Sequence, residues 1–445
     1  MTVVYKKGFV WGCATSAYQI EGAAEGHGKG LSIWDTFSRM PGNIWQNQHG
    51  DVACDHYHRW EEDLHLIQAL GFQSYRFSIA WSRVLPNGVG AVNQKGLDFY
   101  RKLTDGLLER GIIPNITLYH WDLPQALDER GGWVNADVAD WFCDYAEVMF
   151  KALGDRVPLW STLNEPWVVA HEGYLVGNHA PGHRNKYETT KVVQNLLRAS
   201  GKAIQLYRSC CYHQIGLVVN LEPKVPATSR PEDLEAAKKM DAYMNRQYLD
   251  PVYLGAFPDE IKAFYGHAWQ EPNAEDMKFI HTTPDFLGIN FYARGLTVAD
   301  SSEALFGTKK VIHARHPYTE MGWEVYAPAL SDTIRWVTER YRKPPIWITE
   351  NGAAYYDPPV ATEEIQSDPL RVAYFKQHIA AIETAIQKGA DVCGYYAWSL
   401  LDNFEWGFGY SKRFGIVHVD FETQKRTPKS SARFISDHLR RHTSR

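Results

Sequence analysis

The stretch Pro345-Ile346-Trp347-Ile348-Thr349-Glu350-Asn351-Gly352 places a carboxylate at the end of an apolar run. Ile, Trp and Thr favour an extended chain, Pro345 suits the first residue of a strand, and Asn-Gly signals a turn. Glu350 is therefore expected at the C-terminal lip of a strand. In parallel α/β folds that lip is where reactive groups collect. Thr162-Leu163-Asn164-Glu165-Pro166 repeats the arrangement, with apolar residues leading to Asn-Glu and a proline stopping the run. Either glutamate alone reads equally well as a helix cap or a surface ion pair; the same strand-end placement twice points to a working pair.

Working outward, eight short apolar runs cover 9–14, 74–79, 115–119, 159–163, 215–219, 286–289, 346–349 and 392–397. Each leads into a turn or a longer polar stretch with helical spacing. Trp60, Leu64, Ile67 and Leu70 recur at helical spacing before Gly71, 97–108 runs similarly before Gly111, and 370–387 ends before Gly389. Eight strands alternating with helices predict an α/β fold closed as one (β/α)8 TIM barrel over 1–445, with elaborated loops at its C-terminal face. Segments 42–50, 179–187, 300–318 and 403–413 read as those loops. Polar or aromatic residues follow the runs at equivalent places: Gln19, Arg76, His120 and Trp121, Asn164 and Glu165, Asn220, Asn290 and Tyr292, Glu350, and Trp398. Barrel closure would bring them to one mouth.

Composition narrows the function classes. The 445 residues are 44% hydrophobic and 22% charged, an ordinary globular balance, and the formal charge of −5 argues against nucleic acid as a partner. Arg440, Arg441 and Arg445 read as a solvated tail. No run reaches the roughly 18 apolar residues that span a membrane, and the first nine residues lack an apolar signal core. Cys13, Cys54, Cys143, Cys210, Cys211 and Cys393 follow no metal or disulfide spacing, so reduced thiols in a cytosol are expected, with the adjacent Cys210 and Cys211 as packing residues. Sixteen tryptophans among 13% aromatics exceed the needs of a core and suit stacking on the apolar faces of sugar rings.

Three motif-like segments are set aside. Cys54-Asp55-His56-Tyr57-His58 lacks zinc spacing, Gly26-x-Gly28-x-Gly30 follows no strand, and the sequon Asn115-Ile116-Thr117 falls inside a predicted strand. No metal and no cofactor are expected.

Two carboxyls flanking a sugar-sized pocket can cleave a glycosidic bond with retention when they stand about 5 to 5.5 Å apart. Arg76 and Tyr292 would hold Glu350 ionised, that charge would keep Glu165 protonated, and Asn164 would bond the sugar 2-hydroxyl. Five motifs then carry a resemblance along nearly the whole chain: FVWGCATSAYQIEG at 9–22, YHWDLP at 119–124, TLNEP at 162–166, ITENG at 348–352 and WSLLDNFEW at 398–406. The chain resembles the β-glucosidases of glycoside hydrolase family 1. The resemblance implies a retaining β-glycosidase with Glu165 as acid/base and Glu350 as nucleophile. It implies that Gln19, His120, Asn164, Glu405 and Trp406 hold the nonreducing sugar, with Trp398 beneath it. Tyr292 matches the tyrosine that steadies the nucleophile, Trp323 an aromatic wall of the aglycone site, and Trp121 belongs to the same motif as His120.

Departures from the family pattern are Val168, Phe291 and Ala327, none in the catalytic pair. Glu405 weighs against a 6-phospho-β-glycosidase, whose sugar phosphate an anion would repel. Glu165 weighs against a thioglucosidase, a branch that lacks the acid/base glutamate, and the presence of both glutamates weighs against a noncatalytic sugar-binding relative. The expected partner is a small β-glucoside or oligosaccharide, and a homo-oligomer stays open.

Overall fold

Eight parallel strands close into a barrel: β1 (Val10–Ala14), β2 (Ser74–Ser78), β3 (Ile113–Tyr119), β4 (Leu159–Asn164), β5 (Gln214–Asn220), β6 (Phe286–Asn290), β7 (Ile346–Asn351) and β8 (Val392–Trp398). Each pairs with its sequence neighbours and β8 pairs with β1. The computed structural model describes residues 5–443, so Arg445 and the first four residues lie outside the description. All eight predicted runs are strands, with ends differing by one or two residues. Helices His56–Leu70, Gln94–Glu109, Val138–Leu153, Lys186–Cys210, Gln247–Leu254, Pro328–Arg340, Pro369–Gln387 and Ser430–Thr443 follow the strands in turn. Gly71 ends the first of these with φ 80° and returns its N–H to the Ile67 and Gln68 carbonyls.

The lumen is filled by large rings set against missing side chains. A Cβ on Gly216 would stand 2.3 Å from the Phe286 ring, and one on Gly394 would stand 2.5 Å from the Trp347 ring. Small residues facing large ones let the layers interdigitate without voids.

Several local expectations change. Asn351-Gly352 is not a turn, because β7 continues through Asn351; Gly352 is required because a Cβ there would lie 1.8 Å from the Trp398 carbonyl oxygen. The 300–318 loop contains the strand Thr308–Val311, which pairs antiparallel with Gly295–Ala299. Arg440 and Arg441 are exposed on the last helix rather than on a loose tail. Cys211 is half-buried and packs against the core as expected, whereas Cys210 is exposed, its Sγ 3.6 Å from that of Cys211. Among the described residues no helix is long and apolar enough to cross a membrane.

The 398–406 loop is tied down from below by buried ions. Lys429 Nζ donates to Asp357 at 2.6 Å and to Asp402 at 2.7 Å, while Arg413 donates to Asp402 and Arg371 to Asp357 and Asp368. Burial alone would raise the Asp402 carboxyl, but Lys429, Arg413 and Arg371 overcome it and hold its pKa at about 2. Lys429→Met leaves two buried carboxylates short of a cation, a loss of about 3–5 kcal/mol. The expected Tm decrease is about 3–5 °C by calorimetry. Because the folded pKa of Asp402 lies below that of an unfolded aspartate, its contribution is present above about pH 4 and is lost as the pH falls toward 2.

Candidate active site

Both glutamates leave their strands through irregularities in the ladder. On β7 the register with β6 shifts between Ile348 and Glu350, and on β4 the register with β5 shifts between Ser161 and Asn164. An extra residue in one strand bends it and re-aims the next side chain, a device common at barrel rims. Glu165 then takes φ 51° and ψ 67° before Pro166 opens the helix Pro166–Ala170. A non-glycine residue in that region carries local strain of order 1–3 kcal/mol. Trp121 and Trp406 share the positive φ, at 81° and 49°.

One buried hydrogen-bond net joins the two carboxyls. Arg76 Nη1 donates to Glu350 Oε1 at 2.7 Å and Tyr292 Oη to Glu350 Oε2 at 2.6 Å. Arg76 Nη2 donates to Asn164 Oδ1 at 2.7 Å, and Asn290 Nδ2 reaches both that oxygen, at 3.0 Å, and Glu165 Oε1, at 2.5 Å. Asn290 is itself oriented by Thr349, which donates to its Oδ1 at 2.7 Å. Arg76 has only donors, so the Asn164 oxygen must face it and the Asn164 amide must face His120 Nε2, 3.1 Å away. His120 therefore carries its proton on Nδ1, which has no hydrogen-bond partner among the described residues. Burial, followed by the nearby Arg76 charge, pushes the His120 pKa well below the usual range, so the ring is neutral.

Burial raises both catalytic-type carboxyls, with different opposition. Glu165 is raised well above the ordinary value, first by desolvation and then by the Glu350 charge. Desolvation raises Glu350 too, but Arg76, Tyr292 and Asn290 counter it. Glu350 is the one that ionises first. Tyr292→Phe removes one donor to the charged form, so the acid limb of kcat/KM should move to higher pH and kcat/KM should fall by roughly tenfold or more. A pH–rate profile of the two proteins checks both.

A cavity of ≈ 760 Å³ opens above this net, of a size suited to small organic ligands. Its inner wall includes Glu165, Asn290, Tyr292, Glu405, Trp121 and Trp406, with Trp323 toward the rim. Gln19, Arg76, His120, Asn164, Glu350 and Trp398 are buried beside these residues. Gln19 donates to Glu405 at 3.3 Å and to Asn403 at 3.1 Å. His120 stacks between Trp398 and Trp406, with ring centres 5.9 and 6.0 Å away. Trp121 lies 4.5 Å from Trp406 and its Nε1 donates to the Asn164 carbonyl at 2.9 Å; Trp323 lies 5.0 Å from Tyr292. Burial first, then the Glu350 charge, raises Glu405 to about 8, against the Gln19 hydrogen bond.

Residues 1–443 of the 445 match the model of glycosyl hydrolase family 1. The chain belongs to that family. Beta-glucosidase A of Acetivibrio thermocellus is 47% identical over 433 residues, covering 96% of each chain. A 1,4-beta-D-glucan glucohydrolase of Thermotoga neapolitana is 46% identical, covering 97% of each. The beta-glucosidase from Thermotoga maritima, solved in complex with glucoimidazole, superposes with a TM-score of 0.95 at 46% identity over 99% of each chain. The family-1 protein described here is thus a glycosyl hydrolase with the barrel of its relatives.

Sequence reading of this family-1 chain missed part of the outer wall. Glu172, Asn178, His179, Glu222, Lys224 and Lys310 also line the cavity, His179 against the rings of Trp121 and Trp406. They sit on long connections whose lengths were legible but whose paths over the mouth were not. Cys54 and His56, set aside as a metal motif, are buried in different roles: Cys54 Sγ donates to the Asp402 carbonyl and His56 pairs with Asp63 at 2.8 Å.

Proposed function

We propose that this chain is a retaining β-glucosidase that removes terminal nonreducing β-D-glucosyl residues from small β-glucosides, cellobiose and aryl glucosides among them. The observation that carries the reading is the unequal support of two buried carboxyls: Glu350 held by Arg76 and Tyr292, Glu165 raised beside its charge. Ionised Glu350 attacks the anomeric carbon while protonated Glu165 gives its proton to the departing oxygen. The ester that forms removes the Glu350 charge, the Glu165 pKa falls, and Glu165 takes a proton from the water that attacks the same carbon. Two displacements at one centre retain configuration.

Gln19 and Glu405 meet at the inner end of the cavity, where they would clamp the 3-, 4- and 6-hydroxyls. His120 Nδ1–H and Asn164 would bond hydroxyls on the other side, and Trp398 and Trp406 would meet the ring. A clamp made of one amide and one carboxyl tolerates inversion at a hydroxyl, so side activity on β-galactosides or β-fucosides is expected. Even when protonated, with its pKa raised to about 8, Glu405 supplies no cation to a 6-phosphate, and its hydrogen-bond partner there is the neutral Gln19 amide. The deciding assay compares p-nitrophenol release from the aryl β-glucoside and from its 6-phosphate. Release from the unphosphorylated sugar alone is the expected result; release from the phosphate alone would overturn the assignment of Glu405, and release from neither would favour a noncatalytic sugar binder.

A further inference from the structure

The segment after Thr308–Val311 carries His313 and His316 and returns to Glu324, one residue beyond Trp323 of the cavity rim. Ligand atoms of these three side chains lie within 4.8 Å of one another. The His313 and His316 rings are 4.0 Å apart at 25°, and His316 Nδ1 is hydrogen-bonded to Glu324 Oε1. Glu324 is 2% exposed and gripped from behind by Arg294, whose Nε donates to Oε2 at 2.8 Å and Nη2 to Oε1 at 3.2 Å. The backbone around the group is held as well: His313 N–H donates to Tyr318 Oη at 2.7 Å, and the Val325 N–H to the Pro317 carbonyl at 2.9 Å. Both histidines are half-buried, which leaves a route from solvent.

We propose that His313, His316 and Glu324 form a site for a borderline divalent metal ion of the Zn²⁺, Ni²⁺ or Cu²⁺ class, and that its occupancy adjusts the aglycone wall through Trp323. Two imidazoles and one carboxylate are the donor set such ions take, with a fourth position open to water. Arg294 supplies the hydrogen bonds that orient a ligating carboxylate, an outer contact that metal sites regularly use. The ion would replace the proton between His316 Nδ1 and Glu324 Oε1 and draw His313 in toward it. Arg294 and Tyr292 are two residues apart, and Trp323 adjoins Glu324, so a shift at the cluster reaches the cavity from both sides. The catalytic net contributes no ligand.

The full-length protein, stripped with chelator, is titrated with Zn²⁺ by calorimetry, and Co²⁺ is added separately to read its visible ligand-field bands. Binding of about one equivalent, with Co²⁺ bands of four-coordinate N/O ligation, is expected. H313A, H316A and the double variant, each checked for an unchanged Tm in chelator, should bind at least about tenfold more weakly. Zinc should change KM for the aryl glucoside in the wild type and leave kcat unchanged, and should alter neither constant in the double variant. A control is needed because Glu383, His438 and His442 form a second such group, where Glu383 already accepts from Tyr5 Oη at 2.6 Å. Wild-type binding that survives H313A/H316A and disappears in H438A/H442A would overturn the proposal, as would absence of binding. Binding at His313 and His316 with no effect on KM would overturn the coupling to Trp323. Calorimetry reads the site whatever the hydrolytic specificity proves to be.

Discussion

Glu350→Gln should reduce kcat for an aryl β-glucoside by about 10⁵-fold, the scale on which loss of a nucleophile is felt. The variant keeps the size of the side chain and removes the charge that attacks the anomeric carbon. Arg76 then lies beside a neutral amide, with Asn164 still accepting from it at 2.7 Å, so the net should survive. Binding of a competitive glucose analogue should therefore remain within about tenfold of wild type. The Glu350 charge is also the second cause of the raised Glu165 pKa, so Glu165 should titrate at lower pH in the variant, as followed by carboxyl infrared bands. Residual turnover within tenfold of wild type would remove Glu350 from the mechanism.

Glu165→Ala should separate the two displacements. A substrate with a poor leaving group, such as cellobiose, needs the proton and should lose about 10⁴-fold in kcat/KM. A dinitrophenyl glucoside needs none, so its glycosyl-enzyme should form at a near-normal rate and accumulate, because the attacking water now lacks a base. A burst of phenolate followed by slow turnover is the expected trace. Azide requires no general base and should restore turnover, giving a β-configured glycosyl azide if configuration is inverted twice. An α-configured azide would contradict the double displacement. Equal losses on both substrates would assign Glu165 to structure, for which its strained backbone and its bond from Asn290 give a ready cause.

The barrel and the identity of the inner site residues were legible for different reasons. Strand runs such as 346–349 and 215–219 show themselves through β-branched, fully buried residues, and helices such as Pro369–Gln387 through apolar spacing and a terminal glycine. Their alternation leaves few ways to bury eight two-faced strands, and closure is one of them. Glu165 and Glu350 stood out because each ends such a run. The 300–318 segment was misread because Thr308–Val311 is short and exposed on one edge, and an antiparallel partner rather than its own pattern makes it a strand.

The sequence by itself determined the eight strands, their order and the polar residue at each lip, since those follow from local pattern and chain connectivity. Only the tertiary structure decided which of those residues touch. The register shifts before Asn164 and Glu350 turn their carboxyl-bearing ends toward Arg76 and Asn290, and ladder irregularities arise from the packing of neighbouring strands. Likewise the raised Glu165 and the neutral His120 are consequences of burial beside charges distant in the chain, those of Glu350 and Arg76 respectively. Desolvation and Coulomb interaction act through space, and spacing along the chain carries no record of them.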